Sequence, residues 1–531
     1  MPLRPLLASV LAALVLPAAA LGAPVFLVDG HGWGHGIGLA QYGAQGFASR
    51  ENRSYAWILR HYYRGTALAQ TSVSQVRVLL AADRSALRVG SAARFRVSDG
   101  KGRTFRLPAG TVELGPSLRV RIGGKATTLA SPVVFARGSG YLRLAGRPYR
   151  GRLVVRSSAG RLSATNHVRL NQYLYGVVAS EMPPSWAAEA LKAQAVAARS
   201  YAVVSRRRGG TFDLFPDTRS QVYGGVAAEA PRTNAAVDAT AGTVVTYAGR
   251  VAWTFFHSTS GGRTAAIQDV WNASPIPYLV SVRDPYDVAS PYHSWGPLRF
   301  TGARLRATLG PLAPPGALLD AVVARNASLR AETVALRGSG GRNTIAGTSF
   351  QARLGLRSSW FSLAVLSLAG PRRIEFGSEA LLRGIARGTR PVVLEQRAAG
   401  TRWQRAARVE PGPNGGFRAV ARPGVTKWYR LRSPKGAGLP RRVTVAALVR
   451  FDRFAGGRVL AGFVRPALAG VDVVIQRRAS ARWANVARAV TNEQGRFRAR
   501  LDVRPGRYRA VARVGHGLVP GVTPTLTVVA G

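Results

Sequence analysis

Val177 to Tyr201 reads VVASEMPPSWAAEALKAQAVAARSY and sets Glu181 at the end of an apolar, strand-like run. Such a group suits proton transfer, and equally reads as a solvated loop carboxylate. Pro183 and Pro184 follow at once. Proline fixes φ and has no N–H, so the pair should halt the strand and lead into a helix. Leu191, Ala195, Ala198 and Ala202 recur at helical spacing and predict a buried small-residue stripe on a helix from about 186 to 205. Lys192 and Arg199 lie nearly two turns apart and share another face. The expected result is a carboxylic acid at a strand-to-helix junction with two cations close by. Glu189 and Lys192 also fit an ordinary i,i+3 surface pair. Against that, the lysines are only Lys101, Lys125, Lys192, Lys427 and Lys435 among 75 Lys+Arg, so a retained lysine hints at a need for a compact ammonium.

A second cluster is Gly30 to Gly38, GHGWGHGIG, with glycine at every second position. In an extended strand one face would be bare backbone and the other would carry His31, Trp33, His35 and Ile37. The bare face admits another backbone or a sugar ring at close range. Tight strand packing and metal binding by His31 and His35 are the alternatives. With no cysteine and only Asp29 as a nearby acid, a metal site is not expected.

These residues carry a resemblance. Glu181-Met182-Pro183, Glu189 to Ala195 with Lys192 and Gln194, and Ala198-Arg199-Ser200-Tyr201 are similar to the signature block of the SpoIID/LytB family of bacterial cell-wall proteins. Asn171 to Val178, the Ser220 to Gly225 stretch with Gln221 and Tyr223, and Phe256 to Thr264 with His257 and Ser260 match in kind. Gly34 to Ala44, containing His35, Gln41 and Tyr42, resembles the family's GHG-V-G-M-SQYGA motif, and Tyr55 to Thr66 resembles the helix after it. In many relatives that motif follows the Glu block, whereas here it comes first. Leu354 to Phe361 matches what normally precedes it, and a circularly permuted order accounts for both facts.

The resemblance implies a lytic transglycosylase that cleaves peptidoglycan glycan strands, preferentially those poor in stem peptides, and leaves a 1,6-anhydro ring. Glu181 would be the general acid/base. Lys192, Gln194, Arg199, His31, His35, Gln41, Tyr42, Gln221, Tyr223, His257 and Ser260 would support it or bind substrate. No cofactor and no metal are implied. LytB-type relatives imply an alternative, a non-catalytic enhancer of a wall amidase. A wall-binding structural protein is the third reading.

The formal net charge of +51 would suit nucleic acid, but no nucleic-acid motif is present, and an anionic wall polymer attracts such a chain equally well. Residues 1–23, with Arg4 ahead of an apolar run and small residues after it, read as a secretory signal peptide, the rival being an uncleaved membrane anchor. The expected location is secreted and wall-associated.

The expected fold class is α+β. A mainly antiparallel β catalytic unit with a signature helix spans 24–370: the Gly/His motif and helix at 24–70, a β-rich part at 73–167 and the Glu-block core at 168–370. A helix is expected near 231–241, with strands at 242–258 and 278–282. Two small all-β sandwich-like repeats follow, 371–446 and 447–531. Val392 to Arg397 parallels Val473 to Arg478, and Trp403 and Phe417 parallel Trp483 and Phe497. Their aromatics are read as core, and the repeats as dispensable for chemistry.

Overall fold

The computed structural model describes residues 22–207, 209–455 and 458–529. Residues 1–21, most of the expected signal peptide, lie outside the described part. Among the described residues no helix is long and apolar enough to cross a membrane.

Five helices build the layer around Glu181: α1 (Gln41–Arg50), α2 (Tyr55–Tyr62), α3 (Leu170–Glu181), α4 (Ala188–Val204) and α5 (Pro231–Ala239). The run before Glu181 is therefore a helix, not the expected strand. Leu170, Tyr173, Leu174, Val177 and Val178 are all buried at helical spacing, and that period prevails over the β preference of the valines. Helix α3 ends at Met182, which is extended (φ −128°, ψ 141°) as a residue before proline must be. Glu181 is its last residue.

The β-rich part is antiparallel, as expected. A six-stranded sheet contains Gln75–Arg84, Arg161–Arg169, Arg152–Ser158, Val133–Ala136, Phe95–Ser98 and Thr104–Leu107 in spatial order, beside a four-stranded one. Their core runs into the helical layer, where Val76, Val78 and Leu153 share a cluster with Tyr173, Val177, Ala195 and Ala198. The expected strand at 278–282 is absent, and those residues run as loop and turn. Thr264 hydrogen-bonds the backbone there on both sides: its N–H reaches Val282 O at 2.9 Å and its hydroxyl accepts from Val282 N at 2.8 Å.

One five-stranded antiparallel sheet crosses residue 370. Its order is Ser294–Thr301, Val25–His31, Phe361–Ala369, Ala380–Arg387 and Gly416–Ala421. Val25–His31 thus pairs directly with Phe361–Ala369, from Val25 opposite Leu366 to Gly30 opposite Phe361. Val25, Leu27, Ala364, Leu366 and Leu368 pack in one core with Leu382, Leu394, Tyr429 and Leu431 of the first repeat. The first repeat therefore shares its sandwich with the preceding unit, while the second closes a core of its own around Val473, Ile475, Phe497 and Tyr508.

The repeat aromatics divide. Phe417, Phe497, Tyr429 and Tyr508 are buried as expected. Trp403 and Trp483 are not core: they lie half-buried on the outer faces, under Arg430 (4.1 Å) and Arg509 (4.3 Å). Each of these arginines is anchored alike, Arg430 on Glu395 at 2.6 Å and Arg509 on Gln476 at 2.7 Å. Guanidinium stacking explains why an indole sits there.

A chain cut after residue 371 would strip Ala380–Arg387 from Phe361–Ala369 and expose an apolar edge. It should aggregate or lose cooperative thermal unfolding, whereas a chain ended after 446 should stay monomeric and melt cooperatively. Size-exclusion chromatography and calorimetry of the two would check this, and a well-behaved 371 form would contradict the shared core.

Candidate functional site

The Gly/His segment is not an extended strand beyond His31. Gly32, Gly34, Gly36 and Gly38 all have positive φ (77°, 107°, 84° and 69°), a region that glycine alone enters freely. The segment lies instead against Phe255–Ala265. A Cβ on Gly34 would stand 2.9 Å from the His257 Cβ, and one on Gly38 would stand 2.2 Å from the Phe255 carbonyl oxygen. Backbone bridges join Trp33 to Thr259 and Ile37 to Ala265, and Leu39–Ala40 pairs in parallel with Phe256–His257. Two motifs more than two hundred residues apart in sequence are thus in backbone contact.

That contact places α1, whose first residue reaches the candidate acid. Gln41 is buried, and its Nε2 lies 3.5 Å from Glu181 Oε2 and 3.5 Å from Gln194 Oε1. Glu181 is largely desolvated. Burial raises its pKa above the ordinary carboxylate value, opposed by hydrogen bonds from the Gln41 side chain and the Val222 backbone amide. Beside it Tyr42 meets Trp186 edge to face at 4.9 Å, both half-buried. The Gln45 side-chain Oε1 accepts from the Ala187 amide at 2.8 Å, tying α1 to the chain between the prolines and α4.

Gln221 and Tyr223 flank Val222 and hold it in place. Gln221 accepts from Tyr173 at 3.2 Å and donates to Ala198 O at 3.3 Å, while the Tyr223 hydroxyl donates to Asn166 at 2.9 Å. Both are buried, so they act on Glu181 only through the loop they fix.

The two cations expected beside Glu181 are elsewhere. Lys192 Nζ lies 2.7 Å from Glu189 Oε1, and Glu189 Oε2 accepts the Tyr55 amide at 2.7 Å. This pair fastens the start of α2 to α4, which accounts for the retained lysine. Arg199 is fully buried, and its guanidinium donates to Asn171 (α3), to the Val237 carbonyl (α5) and to Thr240 and the Thr243 carbonyl, at 3.0–3.4 Å. Burial lowers its pKa to about 10. Seven-residue spacing put both on one side of α4, but a carboxylate partner claimed one and a ring of carbonyls the other.

The histidines also stand apart from Glu181. His35 Nδ1 accepts from the Ile37 amide at 3.0 Å, and burial lowers its pKa to about 4, so the ring is neutral. It borders a pocket of about 530 Å³ with Trp271, Asn272 and Gln351, and Trp271 is 43% exposed. His257 is buried, its ring 5.4 Å from that of His35, with Nδ1 3.2 Å from the Ile37 carbonyl. His31 meets Ser294 at 3.1 Å and the Trp360 ring at 5.1 Å. Ser260 is buried, and its amide and that of Gly261 bond the Asp287 carboxylate at 2.7 and 2.8 Å. Among the described residues no three His, Cys, Asp or Glu side chains gather as a metal site would require.

Three contributors escaped sequence reasoning. Trp186 had a signal, an aromatic beside the proline pair. Arg330 had none. It is buried, its guanidinium donates to the Arg263 carbonyl at 2.9 Å and stacks 4.8 Å from Trp360, and a Cβ on Gly36 would approach it to 2.6 Å. Asp284 had none either. It is buried against Gly43 of α1, beside the equally buried Tyr62.

Comparison with known proteins bears on the same residues. The family model described as Stage II sporulation protein, SpoIID, matches residues 158–247, the stretch that holds α3, Glu181, α4 and the Val222 loop. Residues 158–247 thus match the SpoIID family. The chain is similar to the amidase enhancer of Bacillus subtilis (strain 168), 44% identical over 115 residues, covering 22% of this chain and 15% of that one. It is also similar to Stage II sporulation protein D of the same organism, 31% identical over 218 residues, covering 37% of this chain and 61% of that one. The matched region therefore spans under two thirds of either relative. Among solved structures the human OSCAR ligand-binding domain aligns over 30% of this chain at 13% identity with a TM-score of 0.14, too slight a likeness to carry an argument.

The SpoIID-matched stretch meets the Gly/His segment through α1, and Asp284 lies under that helix. Burial and the neighbouring Asp287 push its pKa from 3.8 up to about 7, against the Ser260 and Tyr62 hydroxyls, which favour the anion. A carboxyl group that holds its proton more tightly when folded favours folding most below its unfolded pKa, and that contribution is lost as pH rises through about 7. Asp284→Asn should therefore remove a fall in stability between about pH 4 and about pH 7. Thermal midpoints measured across that range should decline less in the variant, and parallel curves would refute the assignment.

Proposed function

We propose that this protein is an exported cell-wall enzyme that cleaves peptidoglycan glycan strands as a lytic transglycosylase, with Glu181 as the single general acid/base. The observation that carries the reading is the environment of Glu181: a desolvated carboxyl at a helix end with a raised pKa and, among the described residues, no cation paired to it. Similarity to Stage II sporulation protein D and the SpoIID match around Glu181 support a cell-wall role.

The chemistry needs one carboxyl group. Protonated Glu181 donates to the glycosidic oxygen as the bond from the muramyl C1 breaks. The carboxylate formed then takes the proton of the C6 hydroxyl while O6 closes on C1. Because the nucleophile comes from the sugar, the second carboxylate of ordinary glycosidases is unnecessary. Acid–base help of this kind contributes roughly 10² to 10⁴ in rate. Gln41 keeps the carboxyl oriented in both protonation states, since its amide donates to the anion and its oxygen can accept from the acid. Tyr42 and Trp186 supply aromatic surface on which sugar rings pack. Glycan strands poor in stem peptides are the substrate.

The amidase-enhancer likeness favours a second reading, in which the same domain stimulates a wall amidase without cutting glycan. Glu181→Gln separates the two. The substitution removes a buried ionisable group, so fold and thermal midpoint should be kept or improved near neutral pH. Turnover of purified, peptide-free glycan strands should fall at least about a hundredfold. In the wild type kcat/KM should fall as pH rises through the elevated Glu181 pKa, because the acid must be protonated in the free enzyme. A variant that keeps more than about a tenth of wild-type turnover excludes Glu181 as the acid/base, and one that still stimulates an amidase fully points to the enhancer.

A further inference from the structure

A separate pocket of about 540 Å³ lies between the five-stranded sheet and a three-stranded sheet formed by Leu318–Arg325, Ala331–Gly338 and Arg342–Ala346. It shares no residue with the surroundings of Glu181. On the three-stranded sheet Asp320, Arg337 and Arg342 form one cross-strand row, with Asp320 opposite Arg337 and Arg337 opposite Arg342. Like charges directly opposite one another destabilise a ladder. Arg387 reaches in from the other sheet.

Asp320 is buried, and it is the only acid lining the pocket. Its carboxylate is already engaged: Arg387 donates to it at 3.0 and 3.3 Å, and the Ala321 amide at 2.9 Å. Arg337 stands 3.9 Å away, at the limit of an ion pair. Arg342 is exposed and has no ion pair or side-chain hydrogen bond among the described residues. Arg387 and Arg337 thus flank the one carboxylate, Arg342 stands one strand further along the row, and three guanidiniums line the pocket against a single acid. Asp320 and the Asn414 carbonyl fix the direction of Arg387 through its Nε and Nη2, which leaves Nη1 to point outward. The facing wall leaves space at Gly416, opposite Ile385, where a Cβ would meet nothing within 4 Å. Val322, 43% exposed, adds an apolar floor.

We propose that this pocket binds a phosphate ester, gripped by Arg337, Arg342 and Arg387. Guanidinium forks match the oxygens of a phosphate in bidentate fashion. A phosphomonoester carries close to the two negative charges the arginines leave uncompensated. The pocket is also far larger than a lone carboxylate needs, which leaves room for a polyol or sugar beside the phosphate. The same chemistry occurs in a free phosphomonoester and in the repeating unit of a polyol-phosphate wall polymer.

Isothermal titration of the full chain at physiological salt, with glycerol 3-phosphate and with glycerophosphoglycerol as probes, tests this. Saturable one-to-one binding is expected for at least one probe, the monoester alone indicating a free ligand and the diester indicating a polymer. Arg342→Ala should weaken it about tenfold or more. Gly416→Phe, which fills the pocket from an unstrained position, should abolish it while leaving circular dichroism and glycan turnover unchanged. Arg402→Ala, an exposed arginine of the first repeat, should have no effect. No saturable binding, or equal weakening by all three substitutions, would show only the diffuse attraction of a cationic surface and overturn the site.

Discussion

The contact of Gln41 with Glu181 joins residues 140 apart in sequence, and the candidate site exists only because the Gly/His segment lies flat on Phe255–Ala265. Four glycines at positive φ make that approach possible, and at each of them an added Cβ would meet backbone or a buried side chain within 3 Å. The segment is anchored on one side by Val25–His31, central in its sheet between Ser294–Thr301 and Phe361–Ala369. On the other it leads straight into α1. The position of one amide beside one carboxyl thus depends on a sheet whose strands come from both ends of the unit and from the first repeat.

Electrostatics follow from where the cations go. A chain with net charge +51 could flood any carboxylate with positive potential. Instead Arg199 and Arg330 are buried as ties between helices and loops, their guanidiniums bonded to carbonyls and hydroxyls, and Lys192 is spent on Glu189. Glu181 is left with an amide, a backbone N–H and burial. Burial disfavours its charged form, which is the condition a general acid needs near neutral pH. A nearby cation would have lowered the pKa and worked against the proton donation proposed for it.

Much of this was legible in the sequence. The α4 stripe of Leu191, Ala195 and Ala198 is buried as its spacing required, and the alternation through Val73–His167 became antiparallel sheet. What sequence could not show was direction and company. Valines before Glu181 suggested a strand, yet helical periodicity over Leu170–Val178 dominates once Tyr173 and Leu174 pack inward. Alternating glycines suggested an extended strand, but the same glycines serve a left-handed path when neighbouring backbone forbids a Cβ. Spacing on α4 put Lys192 and Arg199 on one face and offered Glu189 of the same helix to Lys192, but it did not reveal the partners of Arg199, which come from α3, α5 and the chain after α5. Asp284, Arg330 and the Asp320 row have no local signature, since their neighbours are distant in the chain. The Trp–Arg pairs of the repeats show the limit of reading aromatics as core: an indole beside a sheet-face arginine is stable half-exposed.

The most direct test of the account is the product formed from peptide-free glycan strands by the purified protein, read by mass spectrometry. A single buried acid without a second carboxylate predicts muramyl termini as 1,6-anhydro rings, lacking one water relative to reducing ends. Reducing muramyl ends formed with uptake of water, or intact strands after prolonged incubation, would contradict it.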